Sequence, residues 1–406
     1  MDATLCKRDR SEKDTRMLSN QHGLTVALVL GIGCHSAFAE NGVTASSIVF
    51  GQVAALEGPA RDLGRGVRQG IQAAFDEANR YAGSSHRTLL LKSLDDGYEP
   101  ERTVEATKKL LDEDKVFALI GAVGTPTSKV TQPIATAEKV PFIGPFTGAE
   151  FLRHPYNRYV VNVRASYFEE TEAWIEHLTK DLGLSKIAIL YQDDAFGLAG
   201  LEGVQRAMSK RNMSLVASGS FRRNTTAVKT ALLDIMKGQP EAVVTVAPYR
   251  PVAEFIKLAH QVKLDAVFVA ISFVGADSLA KELGDQGAGV IVSQVVPFPW
   301  DASLPVVASY QRAMVALDPN AKAGFVSFEG YLVGRLAAET LNRIAGEPTR
   351  EKFLDATAAA PFDFGGVTFS YGPAKNQGSD TVFFTALQAD GSLRPISRWG
   401  HVVGQQ

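Results

Sequence analysis

Cysteine is nearly missing from this sequence: 406 residues contain two, Cys6 and Cys34, both near the amino end. A disulfide scaffold is therefore excluded, and the roughly 365 residues that follow must be held by hydrophobic cores, which at that length suggests two domains rather than one. An excess of either charge is also missing. Lys and Arg number 42 against 44 Asp and Glu, a net charge of -2, and the scattered basic residues argue against a nucleic-acid surface. Beyond residue 40 no apolar run is long enough to span a membrane.

The parts of common active sites are missing too. His86, His154, His177, His260 and His401 are isolated, with no H-x-x-x-H or C-x-x-C spacing to hold a metal. No G-x-S-x-G elbow presents a nucleophile. Gly64-Arg-Gly66-Val-Arg-Gln-Gly70 approaches a dinucleotide loop, but Gln69 stands where a third glycine is needed, and close helix packing accounts for it better. The pairs Asp95-Asp96 and Asp193-Asp194 follow apolar strands and precede helices, where aspartate caps and meets the helix dipole. No third group is arranged with either pair. No catalytic residue, metal or cofactor is expected.

What is present begins with an export signal. Leu24 to Cys34 has the length of a signal-peptide apolar core, and Ala37-Phe-Ala39 supplies a cleavage site before Glu40. The mixed charges of Met1 to Arg16 suit no signal peptide, so translation is expected to start at Met17, with residues 1–39 as leader and a soluble exported product. Cys34 resembles a lipoprotein cysteine, but Gly31 replaces the usual bulky aliphatic, which argues against a lipid anchor.

After the leader, apolar strands alternate with amphipathic helices. Strands are expected at Ser47–Leu56, Thr88–Leu94, Val116–Gly121, Lys186–Tyr191, Ser214–Ser220, Ala242–Ala247 and Ala266–Ala270, and helices include Thr103–Asp112, Phe168–Leu182, Gly197–Lys210, Pro305–Leu317 and Phe325–Ala345. Strands apolar on both faces between helices give an α/β fold with parallel sheets covered on each side. A capping box at Ser166-Tyr-Phe-Glu169 opens a long helix and a second series of units. Two Rossmann-like lobes are expected, one from 45–162 and 296–362, the other from 163–295 and 363–403.

Two junctions lie within one short stretch: Val116-Phe-Ala-Leu-Ile-Gly-Ala-Val-Gly-Thr-Pro-Thr-Ser128 and Val140-Pro-Phe-Ile-Gly-Pro-Phe-Thr-Gly-Ala149. Each ends an apolar strand in Gly, Pro and Thr, placing hydroxyls and amides at the carboxyl edge of a sheet, where α/β proteins hold ligands. Thr125 as N-cap with Pro126 at the first helical position would aim a positive helix end into the crevice, suited to a small anion. One such turn is ordinary turn chemistry. Two in tandem, with Tyr98, Phe196 and Tyr249 at other carboxyl-end turns, favour a cleft with apolar walls and a few directed polar groups.

Taken together, Gly51-Gln-Val-Ala-Ala-Leu-Glu-Gly-Pro59, Asp95-Asp-Gly-Tyr-Glu-Pro100, Ile120-Gly-Ala-Val-Gly-Thr125, Pro141-Phe-Ile-Gly-Pro-Phe-Thr-Gly148, Tyr191-Gln-Asp-Asp-Ala-Phe-Gly197 and Phe328-Glu-Gly-Tyr331 resemble the periplasmic solute-binding proteins of ABC importers, in the branch similar to leucine/isoleucine/valine-binding proteins. The resemblance covers Ser47 to Trp399. It implies a type I fold of two lobes joined by three crossovers, closing by hinge motion on a small solute, and a monomer that delivers it to an inner-membrane ABC permease. It also implies that Thr125 holds a ligand carboxylate, that Phe146-Thr147-Gly148 adds main-chain groups and a threonine displaced by one position, that Phe196 caps the ligand from the second lobe, and that the turn at Tyr249 adds another aromatic contact. Leu63 replaces the family's aromatic after the first strand.

One departure bears on the ligand. Amino-acid binders of this family place an acidic residue after Val267-Phe-Val-Ala270 for the ligand's ammonium, and here the turn reads Ile271-Ser272-Phe-Val-Gly275. Ser272 cannot neutralise a buried cation, which costs several kcal/mol, unless Glu57, Asp277 or Glu329 reaches in. The expected solute is therefore a small carboxylate- or amide-bearing molecule, partly aromatic or aliphatic, with a branched-chain amino acid as the weaker option. An exported receptor subunit of a signalling system is the main alternative, and an exported enzyme on a Rossmann-like scaffold the lesser one.

Overall fold

A computed structural model describes residues 40–81 and 87–401 of the chain. The expected leader, 1–39, with Cys34 and the cleavage site, lies outside the described residues. Of those described, no helix is long and apolar enough to cross a membrane.

The first sheet grows from β1 (Ser47–Ala54), buried along most of its length. α1 (Arg61–Tyr81) follows, burying Leu63, Val67, Ile71, Ala74 and Phe75 on one stripe, the helical spacing of its apolar residues. β2 (Thr88–Asp95) returns parallel to β1, in register from Ser47 opposite Thr88 to Ala54 opposite Asp95. α2 (Pro100–Lys108), β3 (Ala118–Ile120), α3 (Thr125–Ala137), β4 (Phe142–Ile143) and β5 (Val160–Val161) complete a parallel sheet in the order β2-β1-β3-β4-β5. The second series opens with α4 (Tyr167–Lys180), whose capping box at Ser166 and Glu169 is formed as expected.

Then come β6 (Ile187–Gln192), α5 (Ala195–Ser209), β7 (Ala217–Phe221), α6 (Lys229–Met236), β8 (Ala242–Val246), α7 (Tyr249–Gln261), β9 (Val267–Ala270), α8 (Ala276–Leu283) and β10 (Ile291–Gln294). α9 (Pro305–Leu317), α10 (Phe325–Asn342) and α11 (Arg350–Ala359) precede a small antiparallel pair, β11 (Phe362–Asp363) with β12 (Thr368–Phe369), and a hairpin, β13 (Phe383–Leu387) and β14 (Leu393–Ile396). The hairpin adds antiparallel to β10, giving the order β14-β13-β10-β9-β8-β6-β7. β8, apolar at four of five positions, is wholly buried in the centre.

α10 packs back on α1 through glycines. A Cβ on Gly70 would stand 1.9 Å from the Ser327 carbonyl oxygen and 2.5 Å from the Tyr331 nitrogen, so the two backbones meet directly. This is the close packing anticipated for the Gly64–Gly70 stretch.

Some boundaries move for local reasons. The expected helix Thr103–Asp112 ends as α-helix at Lys108 and continues through one π-helical turn, Lys109–Glu113. The strand expected from Ser214 starts at Ala217, the first residue with a ladder partner, Ala188. Thr125 is the first helical residue rather than the N-cap, a place taken by Gly124 at φ 107°.

Strand order reverses between β1 and β3 in the first sheet and between β6 and β8 in the second. Ligand crevices of open α/β sheets lie at the carboxyl ends of strands at such switch points.

Candidate functional site

The carboxyl ends of β3 and β4 bring two hydroxyls together. Thr125 Oγ1 and Thr147 Oγ1 are 2.7 Å apart, and Thr147 Oγ1 donates to Tyr167 Oη at 3.3 Å. All three side chains are buried. The Ala149 amide donates back to Thr147 Oγ1, and Gly148 lies so close to Tyr167 that a Cβ would stand 2.6 Å from its ring. Threonine at the first turn of α3 thus joins a positive helix end to a hydroxyl pair.

Above these hydroxyls sits an aromatic cluster. Phe273 is its centre, 4.6 Å from Phe196, 5.5 Å from Phe146 and 6.0 Å from Tyr98 between ring centroids, and Tyr167 lies 5.6 Å from Phe196. Tyr98 takes a left-handed backbone, φ 65°, fixed by Asp96, whose carboxylate accepts from the Tyr98 amide and the Thr103 hydroxyl. Burial pushes the Asp96 carboxyl up to about 6. Phe196 stands in the first turn of α5, its amide donating to Asp194.

Ser272 faces a buried ionic cluster. Its amide and hydroxyl donate to Glu170 at 3.0 and 2.8 Å, Ser293 donates to the same carboxylate, and Arg164 Nη2 donates to Ser272 Oγ. Arg164 stacks on Phe146 at 4.7 Å and lies 3.5 Å from a Glu329 carboxylate oxygen. Burial pushes Glu329 up to about 7, with Arg164 pulling the other way. Of the three acids considered for a ligand ammonium, Glu329 reaches this cluster, Glu57 is exposed and pairs with Arg65, and Asp277 accepts the Phe325 amide.

Two expected residues stand apart from the aromatic cluster. Leu63 is buried on α1 against Gly275, after the turn that carries Ser272. Tyr249, at the start of α7, is buried beside Asp62, and burial and that charge push its hydroxyl up to about 12.

Contacts also cross between the turns of the two sheets. Arg223, after β7, bridges Glu99 at 2.7 Å and Asp194 at 3.0 Å, and Asn224 donates to Gly97 O and Glu99. Gln192, the last residue of β6, donates to Tyr98 Oη at 3.3 Å. Beside this bridge a cavity of about 360 Å³ opens between Pro59 and Ala60 on one side and Gln192, Asn224, Thr226 and Arg250 on the other. That is the lower end of the size range of small-molecule sites. Another cavity, about 660 Å³, lies at the amino ends of β1 and β2, lined by Ile48 and Leu89, away from the crevice. No group of three or more potential metal ligands occurs among the described residues.

The fold is shared with known proteins. A family model described as periplasmic binding protein matches residues 47–392. The chain belongs to the periplasmic binding protein family. A possible leucine/isoleucine/valine-binding protein from Rhodopirellula baltica SH 1 is 39% identical and superposes with a TM-score of 0.84 over 88% of this chain and 98% of that one. A substrate-binding periplasmic protein from Ralstonia solanacearum is 26% identical, with a TM-score of 0.81 over 86% of this chain and 100% of its own. The Leu/Ile/Val-binding protein BraC3 of Rhizobium johnstonii is 25% identical over 201 residues, 47% of this chain and 54% of that protein. The chain spans about half the length of the curated relatives it matches first. These relatives are binding proteins, and the type I fold inferred from the sequence is theirs.

Phe273, Arg164, Glu170 and Gln192 are absent from the set named from sequence. Phe273 adjoins Ser272, where attention to a missing charge hides a neighbouring ring. Arg164 carries a signal of its own, a lone cation closing the apolar run Val160-Val-Asn-Val163.

Proposed function

We propose that this is an exported solute receptor of the periplasm that delivers a small carboxylate- or amide-bearing molecule to an inner-membrane ABC permease. One lobe comprises 45–162 and 296–362, the other 163–295 and 363–403, and the solute lies between them. Thr125, Thr147 and Gly148 hold its carboxylate at the helix end. Tyr98, Phe146 and Phe196 wall its apolar part, with Leu63, Tyr249 and Ser272 at the margins. Contacts made from both sides only in the shut form would favour closure by shifting an open–shut equilibrium.

The observation that carries this reading is how Ser272 is used. Its amide and hydroxyl are spent on Glu170, and the Arg164 guanidinium, which donates to the same hydroxyl, lies 4.0 Å from Glu170 and 3.5 Å from Glu329. Each acid nearby already has a partner: Glu170 accepts from Ser272 and Ser293, and Glu329 faces Arg164. An α-ammonium brought here meets the like charge of Arg164 and would have to compete with it for Glu170 and Glu329, so carboxylates without an amino group are favoured.

Calorimetric titration with leucine, 4-methyl-2-oxopentanoate and benzoate tests this. Binding of the keto acid or benzoate in preference to leucine is expected. Tight leucine binding with no response to either acid would sink it.

A further inference from the structure

Gln192 ends β6 at the switch point of the second sheet and lines the 360 Å³ cavity. Its side chain is fully buried. The amide nitrogen Nε2 is committed twice, donating to Asp194 at 2.7 Å and to Tyr98 Oη at 3.3 Å. The carbonyl oxygen Oε1 has no hydrogen-bond partner.

The amide cannot simply be turned over to cure this. Inversion would set Oε1 against the Asp194 carboxylate, two acceptors face to face. Asp194 is itself fixed by Arg223 at 3.0 Å and by the Phe196 amide at 2.9 Å. The chain of contacts Arg223–Asp194–Gln192 therefore locks the amide with its acceptor branch unspent. An unsatisfied buried acceptor is destabilising, and a ligand donor recovers the loss.

Resting on the solute-receptor function above, we propose that Gln192 Oε1 reads a hydrogen-bond donor on the solute, a hydroxyl or primary amide distal to its carboxylate. The placement suits this. Tyr98 spans the gap between the two ends, its ring against Gly124, the residue before Thr125, and its hydroxyl on Gln192. A solute lying along Tyr98 can thus meet a carboxylate anchor at one end and an acceptor at the other. Asn224, Thr226 and Arg250 add polar lining at the acceptor end. The solute class is then a hydroxylated or amidated carboxylate, not a plain hydrocarbon acid.

The test is calorimetric titration of the full-length chain with two matched pairs: benzoate and 4-hydroxybenzoate, then 3-phenylpropanoate and 3-(4-hydroxyphenyl)propanoate. The hydroxylated member of at least one pair is expected to bind roughly tenfold tighter. Gln192→Met, which keeps length and removes the acceptor, should bring that ratio below about threefold. Gln192→Leu, which removes both branches of the amide, is a second variant for the case in which the methionine substitution does not fold, and the ratio should fall likewise. Equal affinities within both pairs, or a preference untouched in the folded variant, overturns the role of Gln192 while leaving a carboxylate receptor standing. Absence of binding by all four acids and by 4-methyl-2-oxopentanoate overturns the receptor reading and this one with it.

Discussion

Thr125 shows how much one side chain depends on its neighbours. Its hydroxyl does not cap α3. It lies 2.7 Å from Thr147 at the helix end, and a carboxylate arriving there would exchange a neutral hydrogen bond for a charge-assisted one. Thr125→Ala is expected to weaken binding of the best carboxylate titrant by roughly 1–3 kcal/mol, and an unchanged dissociation constant removes Thr125 from the site. Glu329 offers a second residue-scale test, through pH. Its ordinary value is 4.5 and burial raises it to about 7, so between those values the folded protein holds a proton that the unfolded chain has released. Its contribution is complete below about pH 4.5 and is lost as pH rises to about 7. Relative to Glu329→Gln, which does not titrate, the wild type should lose up to about 3 kcal/mol across that window. Denaturant unfolding of both proteins at about pH 4.5, 6 and 7.5 measures the difference; a flat difference refutes the shift. What the sequence makes visible at this scale is position along the chain: Tyr98, Phe146 and Phe196 fall at carboxyl-end turns and the structure brings their rings together. What it hides is convergence. Nothing in the local spacing says that Phe273 sits among all three, or that Arg164, more than a hundred positions from Ser272, donates to it.

At the scale of elements, alternation of apolar strands with amphipathic helices was enough to read the α/β architecture, because periodicity reports which faces are covered. Boundaries obey other rules. β7 begins where Ala217 finds Ala188 across the ladder, a partner outside its own sequence. Gly124 takes the cap of α3 because its φ of 107° suits glycine and because a Cβ there would strike the Tyr98 ring at 2.2 Å. The pairing of α1 with α10 likewise depends on glycines that, in sequence alone, could equally mark a weak nucleotide loop. Gly70→Ala tests that pairing: its new methyl meets backbone of both Ser327 and Tyr331, and backbone cannot swing aside as a side chain can. Destabilisation of about 2 kcal/mol or more is expected, seen as a lower midpoint in thermal unfolding. A midpoint within a degree or so of wild type would mean that α10 can shift away freely.

Across the whole molecule, the two sheets approach through polar contacts between their turns as well as through the aromatic cluster. Arg223 is shared between Asp194 on its own side and Glu99 opposite. Burial works to raise the Glu99 carboxyl, but hydrogen bonds from Arg223 and Asn224 outweigh it and hold the group below its ordinary value, so the bridge is present above the usual carboxylate range and weakens as pH falls through it. Glu99→Gln removes the charge on the far side while leaving Arg223 on Asp194, and with it the orientation of Gln192. Because Glu99 is more than a third exposed, solvent screening limits the bridge to at most about 1 kcal/mol. If it biases closure, the variant should populate the open form more, show a larger radius of gyration by small-angle scattering without solute, and bind carboxylates roughly two- to fivefold more weakly, since affinity scales with the fraction in the shut form. An unchanged radius and affinity would mean instead that the aromatic cluster around Phe273, which draws rings from both sides, holds the crevice shut without help from the rim.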